Sequence, residues 1–458
     1  MQSYVFVLVG MMLGMGSVLA EPVFEWVAAG GGAKNDKTRA VAFDAEGNVF
    51  LAGETAGDGQ FGALERKGLG EVDFFLAKVS PEGAFLWVRS LGGSLVDRGY
   101  GVVVDGAGNA YVTGHYQSVD AVVAGKTLPN AGDYDVFVAK YDPAGNLLWL
   151  RTAGSEGYDY GHGIALDPSG AVVVSGAIAG EARFGEVVVN EGGKGRATFC
   201  AKYHADGELL WARSSEGAFS GSGHGVGVDG QGQIYIAGSG RGVGSWGAVK
   251  LDCPVGQAAL LIKLSAEGEG LWAAKVEGQP SAVYHEVTVD AAGRVWCAGM
   301  FKGEVVLASG AVRSSGDKDN DGMIVHYTAE GREVWSQVLQ SPGTDYCLGV
   351  ATDGTGRCFL TGEFSQTASF AGGSYVSRGS TDIFVAALDA KGGVEWFLPA
   401  GAERGDNAYT LAWHPGGRLV LGGGCTAPAQ FGERRMELLG AAEAYGAVVR
   451  LESNREKR

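Results

Sequence analysis

Seven tryptophans stand at almost equal intervals along this chain, Trp26, Trp87, Trp149, Trp211, Trp272, Trp335 and Trp396, at steps of 61, 62, 62, 61, 63 and 61 residues. The turn segments DAEGN, DGAGN, DPSGA, DGQGQ, DAAGR, DGTGR and HPGGR keep the same steps, opening at Asp44, Asp105, Asp167, Asp229, Asp290, Asp353 and His414. Two markers with one period mean one supersecondary unit copied seven times. A unit of this size cannot bury its apolar face alone, so its copies must stack on one another.

In the second copy the unit reads GYGVVVD from Gly99, NAYVTGHY from Asn109, DVFVAKYD from Asp135 and NLLWLRTAG from Asn146. Short segments this rich in Val, Tyr, Phe and Trp predict strands. No stretch beyond residue 20 carries a sustained helical apolar period, so helices are not expected. An Asp-x-x-Gly turn joins the first two strands, with its glycine at Gly47, Gly108, Gly170, Gly232, Gly293, Gly356 and Gly417, where positive φ is needed. A second such turn, as in SPEG, DPAG, HADG and SAEG, joins the third and fourth. The longer polar stretch between the second and third, such as residues 117–132, predicts a surface loop.

Four antiparallel strands repeated radially predict an all-β fold, a seven-bladed β-propeller of four-stranded antiparallel blades. VFEWVAAGG near the N-terminus has the pattern of a fourth strand, and AYGAVVRLE near the C-terminus that of a third. One blade is therefore expected to draw its first three strands from residues 408–451 and its outermost from 23–29, so that an N-terminal strand closes the C-terminal blade. Closure of this kind removes open sheet edges.

The run DVFVAKYDPAGNLLW, an Asp-containing GG linker and GHGIALDPSGAVVVSG together resemble the SBBP-type bacterial β-propeller repeat. The resemblance covers nearly all of residues 21–451 and implies a propeller and an export route. It implies no particular activity, so function has to be argued from a site.

With 79 Gly in 458 residues, 46% apolar and 19% charged residues, the chain has the glycine for many tight turns and the apolar content for a large core. The repeat points to one domain, residues 21–451, followed by a disordered tail, 452–458. A net charge of −16 argues against nucleic acid or an anionic membrane as partner. Residues 1–20, MQSYVFVLVGMMLGMGSVLA, read as a secretory leader cleaved before Glu21, with an uncleaved anchor as the competing reading because the n-region lacks Lys and Arg. No other apolar run of that length follows. Cys200, Cys253, Cys297, Cys347, Cys358 and Cys425 form no paired motif and are expected to pack as small apolar groups. If Thr352 faces Arg357 across its turn, Cys347 faces Gly362 and not Cys358.

Aligning the copies exposes two columns at the entrance to the first strand. Five residues before each turn marker stand Arg39, Tyr100, His162, His224, His285, Leu348 and Tyr409; eight before it stand Asp36, Asp97, Asp159, Gly221, Ala282, Asp345 and Asp406. With the first strand innermost, both columns are expected to ring the mouth of the central channel and form a ligand face there, its carboxylates attracting cations. His162, His224 and His285 on three consecutive copies could hold zinc, with Asp159 as ligand or orienting group. The alternative is that such residues hydrogen-bond neighbouring copies and loop backbone. Separately, Asp317-Lys318-Asp319-Asn320-Asp321-Gly322 has the alternating carboxylates of a calcium loop, but Val325 and Thr328 stand where an EF-hand has its ninth and twelfth residues. A β-type calcium loop through Asp317, Asp319 and Asp321 and a solvated turn are both open.

The expected function is an exported, non-catalytic binding or scaffold module, in the periplasm, at the outer envelope or secreted. It would be monomeric, need no cofactor and take a protein or carbohydrate ligand at the channel mouth. Two enzyme classes compete. One is a metal-dependent lyase or hydrolase using the His162, His224 and His285 cluster. The other is a quinoprotein-like oxidoreductase, because residues 139–149 resemble the tryptophan-docking repeat of quinoprotein dehydrogenases, although no adjacent cysteine pair is present.

Overall fold

The structure is a computed structural model that describes residues 22–193, 195–315, 319–438 and 440–451. The expected leader, the expected tail and Asp317 lie outside the described residues.

Among the described residues the elements are strands and turns, with no helix, and the architecture is propeller-like. In the first unit, Lys37–Phe43, Val49–Thr55, Asp73–Val79 and Phe85–Leu91 pair antiparallel in that order. The same order recurs in units that open with Asp97–Val104, Tyr160–Leu166, Glu216–Val228, Gly278–Val289 and Tyr346–Thr352. A last unit joins Asp406–His414, Arg418–Cys425 and Glu443–Arg450 to Val23–Gly32, with Trp26 opposite Val448. First strands of successive units touch, and Lys37–Phe43 touches Asp406–His414.

The tryptophan ruler has a mechanical meaning. Six of the seven indoles donate from Nε1 to a turn carbonyl of the next unit: Trp26 to Pro81 (2.8 Å), Trp87 to Pro143 (3.1 Å), Trp149 to Ala205 (3.0 Å), Trp211 to Ala266 (3.3 Å), Trp272 to Ala329 (3.2 Å) and Trp335 to Ala390 (3.1 Å). The ring lies against the glycine of that turn, so a Cβ at Gly207 would come within 2.8 Å of Trp149. That glycine also sits at φ +88°, which side chains avoid. Apolar side chains fill the space between units, as where Phe50, Phe74 and Trp87 of one unit pack with Val112, Phe137 and Tyr141 of the next.

The stretches expected as surface loops carry small hairpins instead. Gly59–Phe61 pairs with Val23–Gly32, Ala182–Phe184 with Leu147–Gly154, and Thr367–Phe370 with Glu333–Gln340, each extending the outer edge of the preceding unit. In the fourth unit the stretch is absorbed into continuous strands, Glu216–Val228, Ile234–Trp246 and Val249–Leu264, and the fifth has long strands at Gly278–Val289 and Val295–Leu307. All six cysteines are buried and free. Cys347 does face Gly362, but Thr352 faces Cys358, because a bulge between Cys347 and Gly349 absorbs the extra residue.

Candidate functional site

The aspartates eight residues before each turn marker do not ring a solvent-filled mouth. Asp36, Asp97, Asp159, Asp345 and Asp406 are fully buried. Each accepts from a group four residues earlier, the backbone N–H of Gly32, Gly93, Ser155 and Ala402 or the Ser341 hydroxyl. Each also accepts from the N–H twenty residues later, on Ala56, Gln117, Ala179, Ser365 or Thr426. They tie the entry of the first strand to the exit of the second, satisfying loop N–H groups that burial would otherwise strand. Burial pushes their pKa values up against these hydrogen bonds, Asp345 to about 7 and Asp406 to about 6. The expected cation-attracting ring of Asp36, Asp97, Asp345 and Asp406 is therefore corrected. Gly221 and Ala282 replace aspartate where the strands continue and pair directly, Gly221 with Gly240 and Ala282 with Phe301. Where the ladder supplies the acceptors, no carboxylate is required.

The other column does converge. Arg39, Tyr100, His162, His224, His285, Leu348 and Tyr409, together with Glu286, line one small cavity of about 120 Å³. The ring centroids of His162 and His224 are 5.3 Å apart, those of His224 and His285 5.5 Å, and those of Tyr100 and His162 4.7 Å. Arg39 lies over both Tyr100 and Tyr409, 5.2 and 4.9 Å from their centroids. Burial lowers the pKa of His162 and His285 to about 4 and holds that of His224 well below the ordinary imidazole value, so the imidazoles are neutral at pH 7. Burial raises Glu286 to about 7.

The donor set does not fit zinc. The imidazoles contact ring to ring, His162 points Nδ1 toward the Gly223 carbonyl at 3.4 Å, and Asp159 is occupied by Ser155 and Ala179. Among the described residues no group of three or more His, Cys, Asp or Glu side chains is arranged to hold a metal ion. In the calcium-like segment, Asp321 is buried and accepts from the Ser315 N–H and hydroxyl and from Gln340. Asp319 accepts from Thr344 at 3.3 Å. Asp321 thus does for its loop what Asp73, Asp135 and Asp382 do for theirs, accepting the N–H groups of Leu69, Ala131 and Arg378.

Beside this ring opens a larger cavity of about 770 Å³, bordered by Arg98, Tyr100, His115, Tyr160, His162, Arg196, Ser222, His224, Ser239, Arg241 and Gln257, with no carboxylate in its wall. His115 is 1% exposed, and neither ring nitrogen has a hydrogen-bond partner. It is held between Tyr100, Tyr134, Tyr160 and His162, at centroid distances of 5.0, 5.0, 4.8 and 6.3 Å. Glu54 pairs with both Arg39 at 2.8 Å and Arg98 at 2.5 Å, and Glu363 accepts from the Asn407 amide.

Sequence reasoning found Arg39, Tyr100, Tyr409 and the three histidines but missed Arg98, His115, Tyr160, Arg196 and Arg241. Two more columns carried the signal for Arg98, His115 and Tyr160, whereas Arg196 and Arg241 stand in neither. Seven residues before the turn markers stand Lys37, Arg98, Tyr160, Ser222, Val283, Tyr346 and Asn407, and they face Glu54, His115, Ala177, Ser239, Met300, Glu363 and Gly424 across the first strand pair.

Residues 86–115 match the beta-propeller repeat family SBBP. An uncharacterised WD repeat-containing protein of Acanthamoeba polyphaga mimivirus is 22% identical over 371 residues, 64% of this chain, and the chain spans only 26% of that relative. Among solved structures, regucalcin, a calcium-binding protein from Agrobacterium tumefaciens, aligns with 92% of this chain and 96% of its own at 11% identity and a TM-score of 0.34. A protein of unknown function from Bacteroides caccae aligns with 60% of this chain and 94% of its own at 12% identity and a TM-score of 0.27.

Proposed function

We propose that this chain is an exported, non-catalytic binding or scaffold module, a seven-bladed propeller closed by Val23–Gly32, which receives its ligand in the cavity beside the central ring of side chains. The SBBP repeat match supports the propeller reading, as does the pairing of Trp26 with Val448. Export rests on the character of residues 1–20.

The observation that carries the binding reading is the 770 Å³ cavity itself. Its volume lies in the range of small-molecule sites. The residues that hold neighbouring units together repeat from copy to copy, whereas those that wall the cavity differ, and a wall free of the packing constraint can be shaped to a ligand. The metal-dependent lyase or hydrolase is the weaker reading, since Asp159 is spent on loop backbone and the imidazoles pack against one another. The quinoprotein reading gains nothing from the tryptophans, because docking on the next unit is what either repeat asks of them.

A thermal-shift screen of small molecules, run in parallel on the Ser222→Trp variant, tests the proposal. Ligands are expected to raise the melting temperature of the natural protein and to lose that effect when the indole fills the cavity. Stabilisation undiminished in a folded variant would place binding elsewhere and overturn it.

A further inference from the structure

The whole chain is acidic, yet the cavity wall has no carboxylate and three arginines, Arg98, Arg196 and Arg241. Arg98 is paired with Glu54 at 2.5 Å, a carboxylate it shares with Arg39. Arg196 and Arg241 are exposed, and among the described residues neither guanidinium has an ion pair or hydrogen bond; Arg196 lies 5.0 Å from the centroid of the Tyr160 ring. Two unpaired guanidiniums facing a concave space attract an oxyanion, and their planar forks match a carboxylate on both oxygens. Beneath them His115, buried with both ring nitrogens unsatisfied, offers a polar atom that the protein itself does not use.

The remaining surface fixes the rest of the ligand. The tyrosines in the wall are Tyr100 and Tyr160, and the Tyr160 ring is backed by that of Tyr134 at a centroid distance of 5.7 Å. Ser222, Ser239 and Gln257 supply hydroxyl and amide groups, with Gln257 donating to Ser239 at 2.7 Å. Aromatic faces for ring C–H groups, short hydroxyl and amide side chains for hydroxyls and arginines for a carboxylate together suit one chemistry. Resting on the binding reading above, we infer that the cavity binds an acidic saccharide, whose carboxylate is held by Arg196 and Arg241 and whose ring lies against Tyr100 and Tyr160.

Calorimetric titration of the protein purified without residues 1–20 with galacturonate oligomers, the corresponding neutral galactose oligomers and inorganic phosphate tests this. The acidic oligomers are expected to bind at least tenfold more tightly than the neutral ones, to weaken with added salt and to lose at least tenfold in affinity in Arg196→Gln/Arg241→Gln. Both arginines are exposed and unpaired, so the double variant is expected to keep its melting temperature. Equal affinity for neutral oligomers would overturn the anionic assignment while leaving the binding reading in place. Phosphate competing as well as the acidic oligomers would replace the saccharide with an inorganic oxyanion. Acidic-oligomer affinity unchanged in the folded double variant, or no binding of these oligomers, would overturn the inference; only failure of the Ser222→Trp screen counts against the module itself.

Discussion

Taking the carboxylate from Asp97 would leave four donor contacts without an acceptor in a fully buried place, from the N–H groups of Gly93, Gln117 and Ser118 and the Ser118 hydroxyl. Asp97→Ala is expected to lower stability by about 2–4 kcal/mol in denaturant titration. Gly207→Ala meets both positive φ and the Trp149 ring, and is expected to cost about 1–3 kcal/mol by the same measurement. Glu286 sets a pH dependence. Its folded-state pKa of about 7 lies above the ordinary 4.5, so its contribution is complete below about pH 4.5 and is lost as pH rises through 7. His162 and His285, lowered to about 4, act oppositely, contributing above their ordinary 6.5 and losing that contribution as pH falls through 4. Glu286→Gln isolates the carboxyl: relative to the natural protein it is expected to gain about 1–3 kcal/mol between pH 5 and pH 8, read from urea midpoints. The histidine column was legible because its seven positions align on the turn markers. The role of the aspartates was not, because a carboxylate at a strand entrance reads alike whether it faces water or loop N–H groups.

Elements followed the period closely where one copy resembled another. The turns and four-strand order of the units were legible from Trp, Asp-x-x-Gly and apolar runs, since each is a local requirement of the strand pair it joins. The stretches between second and third strands were not, because their hairpins find partners in a neighbouring unit and no local pattern announces that. The extended strands of the fourth unit had a signal in hindsight: aspartate is absent at Gly221, where ladder pairing with Gly240 serves the backbone. Introducing Gly221→Asp is accordingly expected to destabilise that unit, because the added Cβ would come within 2.4 Å of the Phe219 ring. Faster amide exchange in Glu216–Val228, with the remaining units unchanged, would register it.

At the scale of the whole molecule, the acidic composition describes only the average of the chain. A net charge of −16 coexists with a cavity wall free of carboxylates, and no sum over the chain reveals such a segregation. The meeting of the two chain ends was legible, since a fourth-strand pattern near the start and a third-strand pattern near the end complete one unit. Deleting residues 22–32 is expected to expose the Glu443–Arg450 edge and shift the protein toward aggregates in size-exclusion chromatography. Glu25 and Arg418, 393 residues apart, form an ion pair at 3.0 Å across this seam. A ribosome therefore releases Val23–Gly32 long before Glu443–Arg450 exists. Until synthesis reaches that strand, Val23–Gly32 has its short hairpin partner Gly59–Phe61 but not its long one, so joining the two chain ends is a step that only the completed chain can take.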